Sequence, residues 1–139
     1  QQHQQTHLMK IRTHQQIDTG LCGRVKDLGA GRCTVEFLAS PGMSADPSGL
    51  VHGGFIFGAA DYAAMLAVNE PNVVVARAEV RFRRPCRVGD RLEVHARLIG
   101  EAAPKPTVLT VALNDDGEEV FRGTFMCAVP SRHVLDPVP

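Results

Sequence analysis

One carboxylate stands where an apolar side chain is expected. Between His52 and Asn69 the run Gly53-Gly54-Phe55-Ile56-Phe57-Gly58-Ala59-Ala60-Asp61-Tyr62-Ala63-Ala64-Met65-Leu66-Ala67-Val68 is apolar or small on every side of a helix, apart from Asp61. A helix without a polar face belongs in a core. A carboxylate is costly to desolvate there without a partner. Asp61 therefore marks a site, with a structural acid bonded to a strand or an arginine as the bland alternative. A carboxylate so placed suits a general base or a nucleophile. Burial raises its pKa and hydrogen-bond donors lower it, and sequence does not set the balance. The run opens on Gly53-Gly54. A helix start offers unpaired amides and the positive end of the helix dipole, and glycine lets a ligand approach the backbone. Gly53 and Gly54 thus suit stabilisation of a developing oxyanion, as well as a tight loop-to-helix turn. His52 either orients that loop or touches substrate. Tyr62, beside the acid, is a core or interface residue, or lines the pocket.

These groups need a frame. Residues 40–49 hold two prolines and two glycines with Asp and Ser, a loop that delivers the chain to the helix. The helix spans Gly54 to Asn69, and Pro71 stops it. The period then changes from 3.6 to 2. Val74, Ala76, Ala78, Val80 and Phe82 alternate with Arg77, Glu79, Arg81 and Arg83. After a turn at Pro85–Gly89, Leu92, Val94, Ala96 and Leu98 alternate with Arg91, Glu93, His95 and Arg97. Residues 101–106 connect to a strand from Thr107 to Asn114. Asp115-Asp116-Gly117 is a hairpin turn into a last strand from Glu119 to Val129. Ahead of the loop, Leu21–Leu28 and Arg32–Leu38 read as strands around Gly29-Ala30-Gly31. Leu8–Ile17 has weak helical spacing. The organisation is a flexible Gln/His-rich leader with a short helix over residues 1–19, one α+β domain over 20–130, and a Pro-rich tail over 131–139. Six antiparallel strands with one apolar face can wrap one long central helix.

Composition narrows the function classes. The 139 residues suit one domain with a single core. The formal net charge is zero, which argues against bulk attraction to nucleic acid or anionic lipid. The arginine cluster lacks interleaved aromatics beyond Phe82, which also argues against nucleic acid. No apolar run approaches the roughly 20 residues of a membrane span, and no secretory signal opens the chain. A cytoplasmic protein is expected. Cys22, Cys33, Cys86 and Cys127 form no CxxC pair and read as free thiols, with a Cys22–Cys33 bridge as the alternative. His3, His7, His14, His95 and His133 show no metal-ligand spacing and no paired acid, so no metal is expected and they read as surface.

His52-Gly53-Gly54 with Asp61 nine residues after the histidine resembles the HGG-x6-D signature of hotdog-fold acyl-CoA thioesterases of the PaaI type. Val80-Arg81-Phe82-Arg83-Arg84-Pro85 and Val88-Gly89-Asp90-Arg91-Leu92 are also similar to that family. The likeness covers Gly20 to Val129. It implies a hotdog fold, a homodimer or homotetramer, and hydrolysis of a coenzyme A thioester. Coenzyme A is then part of the substrate, and no separate cofactor is implied. Two departures stand out. Family members often carry Ser or Thr seven residues after the acid, where Val68 stands here, with Asn69 next. Many also carry Asn ahead of the first strand, where only Gln15, Gln16 and Asp18 occur.

On this reading the Gly53 or Gly54 amide polarises the thioester carbonyl and Asp61 acts as general base or nucleophile. Asp61 lies seven residues past Gly54, about 10 Å along the axis. That exceeds the ~3 Å contact both groups need with one reacting carbon. The diglycine is therefore expected to meet Asp61 of a second chain, with antiparallel helices giving two sites by symmetry. Gly58 and Ala64 leave room for an acyl chain or for close helix packing. Arg81, Arg83, Arg84 and Arg87 are a solvated strand face by default, and contacts to coenzyme A phosphates in the alternative. Two other classes compete. A non-catalytic acyl-CoA-binding hotdog module would carry an added DNA-binding segment, and the residues ahead of the first strand are too few for a helix-turn-helix. A hotdog hydratase needs a His soon after the acid, and none follows Asp61 before His95.

Overall fold

A computed structural model describes residues 8–100 and 104–137. The Gln1–His7 leader, with His3 and His7, lies outside them. The elements run α1 (Thr19–Cys22), β1 (Arg24–Gly29), β2 (Arg32–Leu38), α2 (Gly53–Val68), β3 (Val74–Phe82), β4 (Arg91–Leu98), β5 (Thr107–Leu113) and β6 (Glu119–Ala128). All six strands form one antiparallel sheet in the order β1-β2-β4-β5-β6-β3. Alternation sets its inner face. Val35 and Phe37 of β2, Val94 of β4, Val108 of β5, and Phe121 and Phe125 of β6 are fully buried. They close on Ala59, Ala60, Ala63 and Leu66 of α2. Each large apolar side chain so buried contributes roughly 1.5–3 kcal/mol. This is the expected hotdog arrangement of a sheet wrapped on one long helix.

The pairing differs from the simplest reading in one respect. β3 and β4 look like neighbours joined by the 85–89 turn, yet β3 pairs with β6, with Ala78 opposite Phe125. β4 sits between β2 and β5. The link from β3 to β4 therefore crosses to the middle of the sheet. It is tied to the loop that opens α2, with the Val51 amide donating to the Cys86 carbonyl at 2.8 Å and Val88 to Gly49 at 2.9 Å. β3 also breaks its own alternation. A bulge between Val75 and Arg77 puts Val75, not Ala76, on the core side with Ala78 and Val80. Ala76 is exposed, and so is Phe82 at the strand's end.

The N-terminal segment needs a correction. Leu8–Ile17 is not helical. Leu8 bridges to Leu28, and Met9 donates to the Leu28 carbonyl at 2.9 Å. The short helix is Thr19–Cys22 instead. Asp18 caps it by accepting from the Gly20 amide at 2.8 Å, and Gly23 ends it at φ +94°. The first strand accordingly begins at Arg24, not Leu21. All four cysteines are free, so the Cys22–Cys33 bridge is not made. No helix among the described residues is long and apolar enough to cross a membrane.

α2 begins one residue earlier than expected and ends at Val68, with Asn69 as its C-cap in the left-handed region at φ +52°. The buried Asn69 side chain clasps the N-terminal segment. Its Oδ1 accepts from the Arg12 amide at 2.8 Å, and its Nδ2 donates to the Lys10 carbonyl at 2.9 Å. Asn69→Ala loses both bonds and puts at φ +52° a residue that tolerates the left-handed region less well than asparagine does. It is expected to destabilise the fold by about 2–3 kcal/mol, measured by urea unfolding.

Candidate active site

The sheet does not cover α2 on every side. Gly54, Phe57, Gly58 and Asp61 share one helical face and all keep some exposure. α1 packs beside this stripe. Cys22 Sγ stands 4.0 Å from where a Gly58 Cβ would be. Asp61 Oδ1 is buried and meets no hydrogen-bond partner among the described residues. Burial pushes the Asp61 carboxyl up to about 6. Its charge is felt on two sides: burial first, and then Asp61, raise the Cys22 thiol, and they raise the Cys127 thiol on β6 to about 11. Asp61 thus lies near two neutral thiols, with no counter-ion among the described residues. The bland alternative of an arginine-paired acid is not what the chain builds.

The glycines are not there for backbone geometry. None of Gly53, Gly54 and Gly58 has a positive φ, and each is helical. Alanine would favour the helix by up to about 1 kcal/mol at an interior position. At Gly58 a Cβ would meet only Cys22 Sγ, at ordinary contact distance. Packing within one chain therefore leaves glycine at 58 unexplained, whereas access to the helix backbone explains it. At the helix start, His52 donates its amide to the Met43 carbonyl at 3.0 Å, and Phe55 donates to the His52 carbonyl at 3.1 Å. The Gly53 and Gly54 amides between them meet no acceptor among the described residues. Two free donors at the positive end of a helix are the arrangement an oxyanion requires.

His52 is exposed, and its side chain makes no capping bond. Its ring packs edge-on to Phe55 with centroids 6.0 Å apart. The backbone of His52 orients the turn, and its imidazole stands free beside Gly54. Tyr62 is only 5% exposed and sits in the core, so it offers no open surface within this chain. The basic cluster divides. Arg83 pairs with Glu119 at 3.1 Å and Arg84 with Glu118 at 3.3 Å, whereas Arg81 is exposed and in no ion pair among the described residues. Such exposed pairs are worth under about 1 kcal/mol and break readily for a ligand. Gln15 is exposed and donates to the Ile11 carbonyl at 2.8 Å, and Asn69 is committed to its clasp. Neither stands in for the family's missing polar groups near Asp61. His95 does have an acid partner, Glu93 at 2.9 Å, because residues two apart share a strand face. His14 is half-buried and bonded to Thr13 at 2.8 Å rather than free on the surface. Cys22 is the neighbour of Asp61 that sequence reasoning missed, since the fold of α1 onto α2 alone brings it there.

The thioesterase superfamily model matches residues 48–100, which include His52, the diglycine and Asp61. Among solved structures, an uncharacterised protein from Pyrococcus horikoshii is 44% identical, with 92% of this chain and 98% of that one superposing at a TM-score of 0.89. The Escherichia coli PaaI protein is 20% identical and shares the fold over 81% of this chain and 83% of its own, with a TM-score of 0.74. Among curated relatives, a methylthioribose-1-phosphate isomerase of Aquifex aeolicus is 45% identical over 84% of this chain but only 25% of its own length. The transcription factor FapR of Shouchella clausii is 33% identical over 64% of this chain and 46% of its own length. The chain thus spans a quarter to about half of these two curated relatives. Its residues 48–100 thus match the thioesterase superfamily, and the chain has the hotdog fold.

Proposed function

We propose that this chain hydrolyses an acyl-CoA thioester to the free acid and coenzyme A, in sites shared between two copies of itself. The observation that carries the reading is Asp61: a carboxyl with a buried, unpartnered oxygen, on the same helix face as two unbonded amides it cannot reach. Antiparallel packing of two α2 helices brings each Asp61 to the other chain's Gly53 and Gly54. The carboxylate takes a proton from water as its oxygen bonds to the thioester carbon. The carbonyl oxygen gathers charge against the Gly53 and Gly54 amides. The C–S bond then breaks, and the thiol leaves with that proton. Direct attack by Asp61, followed by hydrolysis of the acyl-enzyme, uses the same groups. Arg81, Arg83 and Arg84 are offered as phosphate contacts and His52 as a group bordering the substrate, whereas the buried Tyr62 is left to the core. Thiol release from a panel of acyl-CoA thioesters, followed with DTNB, tests the reading. A rate no greater than buffer for every thioester would remove it.

The shared site has its own test. Asp61→Asn chains and Gly53→Val chains are each expected to be inactive. Mixed and allowed to exchange, they form heterodimers with one intact site of two, so about a quarter of the wild-type rate should return. No recovery despite proven exchange would place both groups in one chain.

The FapR likeness favours a second reading, an acyl-CoA-binding module that senses without hydrolysing. Saturable acyl-CoA binding without thiol release is its signature.

A further inference from the structure

We propose that Phe82 is a positioning residue of this site, holding the Gly53 peptide in place. This role presupposes the hydrolytic reading above. Phe82 is the last residue of β3, at the sheet's edge, and it is 54% exposed. Its ring is nonetheless fixed. One edge meets the fully buried Phe121, with centroids 5.3 Å apart and planes at 76°. Another part lies over the start of α2: a Cβ on Gly53 would stand 3.1 Å from Cε1 and 3.5 Å from Cδ1. At the next residue a Cβ on Gly54 would stand 2.9 Å from His52 Nε2. Each glycine of the first turn of α2 therefore has a ring against its Cα, Phe82 at Gly53 and His52 at Gly54.

A ring in that place acts on the reaction in two ways. It keeps water from one side of the Gly53 peptide, so the N–H dipole works in a lower dielectric. It also restrains the end of the helix, where no intrahelical bond holds the amide, so the donor is set before charge develops. Neither effect binds the ground state, so the loss belongs in kcat.

The test compares Phe82→Tyr, Phe82→Leu and Phe82→Ala in acyl-CoA hydrolysis. Tyr keeps the ring and should keep kcat. Leu keeps bulk only and should lose roughly threefold, and Ala roughly tenfold or more, with KM changing less than about threefold throughout. If Phe82→Ala does not fold, the Tyr–Leu difference carries the test. Wild-type kcat in Phe82→Leu and Phe82→Ala overturns the role, and so does a loss confined to KM. The contact itself is read in Gly53→Ala, whose methyl must push against the ring. The Gly53→Ala/Phe82→Ala double variant should retain more activity than the product of the two single losses; multiplicative losses count against the role. Asp61→Asn separates this from the reading it rests on. Full turnover in that variant removes the hydrolytic mechanism whatever Phe82 does. An inactive Asp61→Asn beside a fully active Phe82→Ala removes only the role of Phe82.

Discussion

Asp61→Asn is expected to lower kcat for acyl-CoA hydrolysis by roughly 10²- to 10⁴-fold, the range a positioned general base supplies. Asp61→Ala should lose at least as much. The substitution is nearly isosteric, and Oδ1 accepts no hydrogen bond that asparagine would break. The fold should therefore survive, and KM should move little. Loss of rate without loss of structure is the signature of a reacting group. Turnover unchanged in a folded Asp61→Asn protein would leave the carboxyl as a spectator.

The same variant is expected to be more stable than the natural chain at neutral pH. Burial holds the Asp61 carboxyl at about 6 in the folded chain, against an ordinary 3.8. A raised pKa means that the fold prefers the protonated acid. That preference is fully expressed below about pH 4 and is lost as pH rises through 6. The shift corresponds to about 2–3 kcal/mol. Urea unfolding should therefore find the two proteins alike near pH 4, with Asp61→Asn ahead by up to that amount above pH 7. A constant gap across this window would contradict the buried, unpartnered state. In the shared site we propose, amides of the partner's first turn would donate to the carboxylate and draw its pKa back down. The stability gap then narrows. The rate, which needs the ionised acid, should rise with pH through a midpoint between 3.8 and about 6 and level off above it.

Together the two expectations give Asp61 a cost and a use. One chain leaves a carboxyl largely desolvated and unpaired and keeps a glycine at 58 in a helix that would be firmer with alanine there. Both choices lower stability, and both are intelligible where a substrate and a second chain meet the helix.

Much of this was legible in order along the chain. Alternation in β2, β4 and β5 is strict because those strands are central and have one face on α2. The Asp115–Gly117 hairpin forms where turn chemistry puts it, with Asn114 Oδ1 accepting from the Asp116 and Glu118 amides. The helix and its odd acid stand out because an all-apolar run has no other use. The edges were not legible. β3 is bulged and half-uncovered, so its inward residues do not follow period 2 from Val74. Near Leu8, extended backbone is tied down by Asn69 from 59 residues away, and nothing local announces that clasp.

The amino-acid order by itself determined which residues can do chemistry, that one helix carries them, and that Asp61 lies about 10 Å along it from the diglycine. Those are consequences of residue type and of rise per residue, both local. Tertiary structure alone decided that β3 pairs with β6, that Cys22 faces Gly58, that Tyr62 is core, and that Phe82 packs on Gly53. Each of these depends on contacts between segments distant in the chain, where small differences in packing select one partner among several and leave no periodic trace.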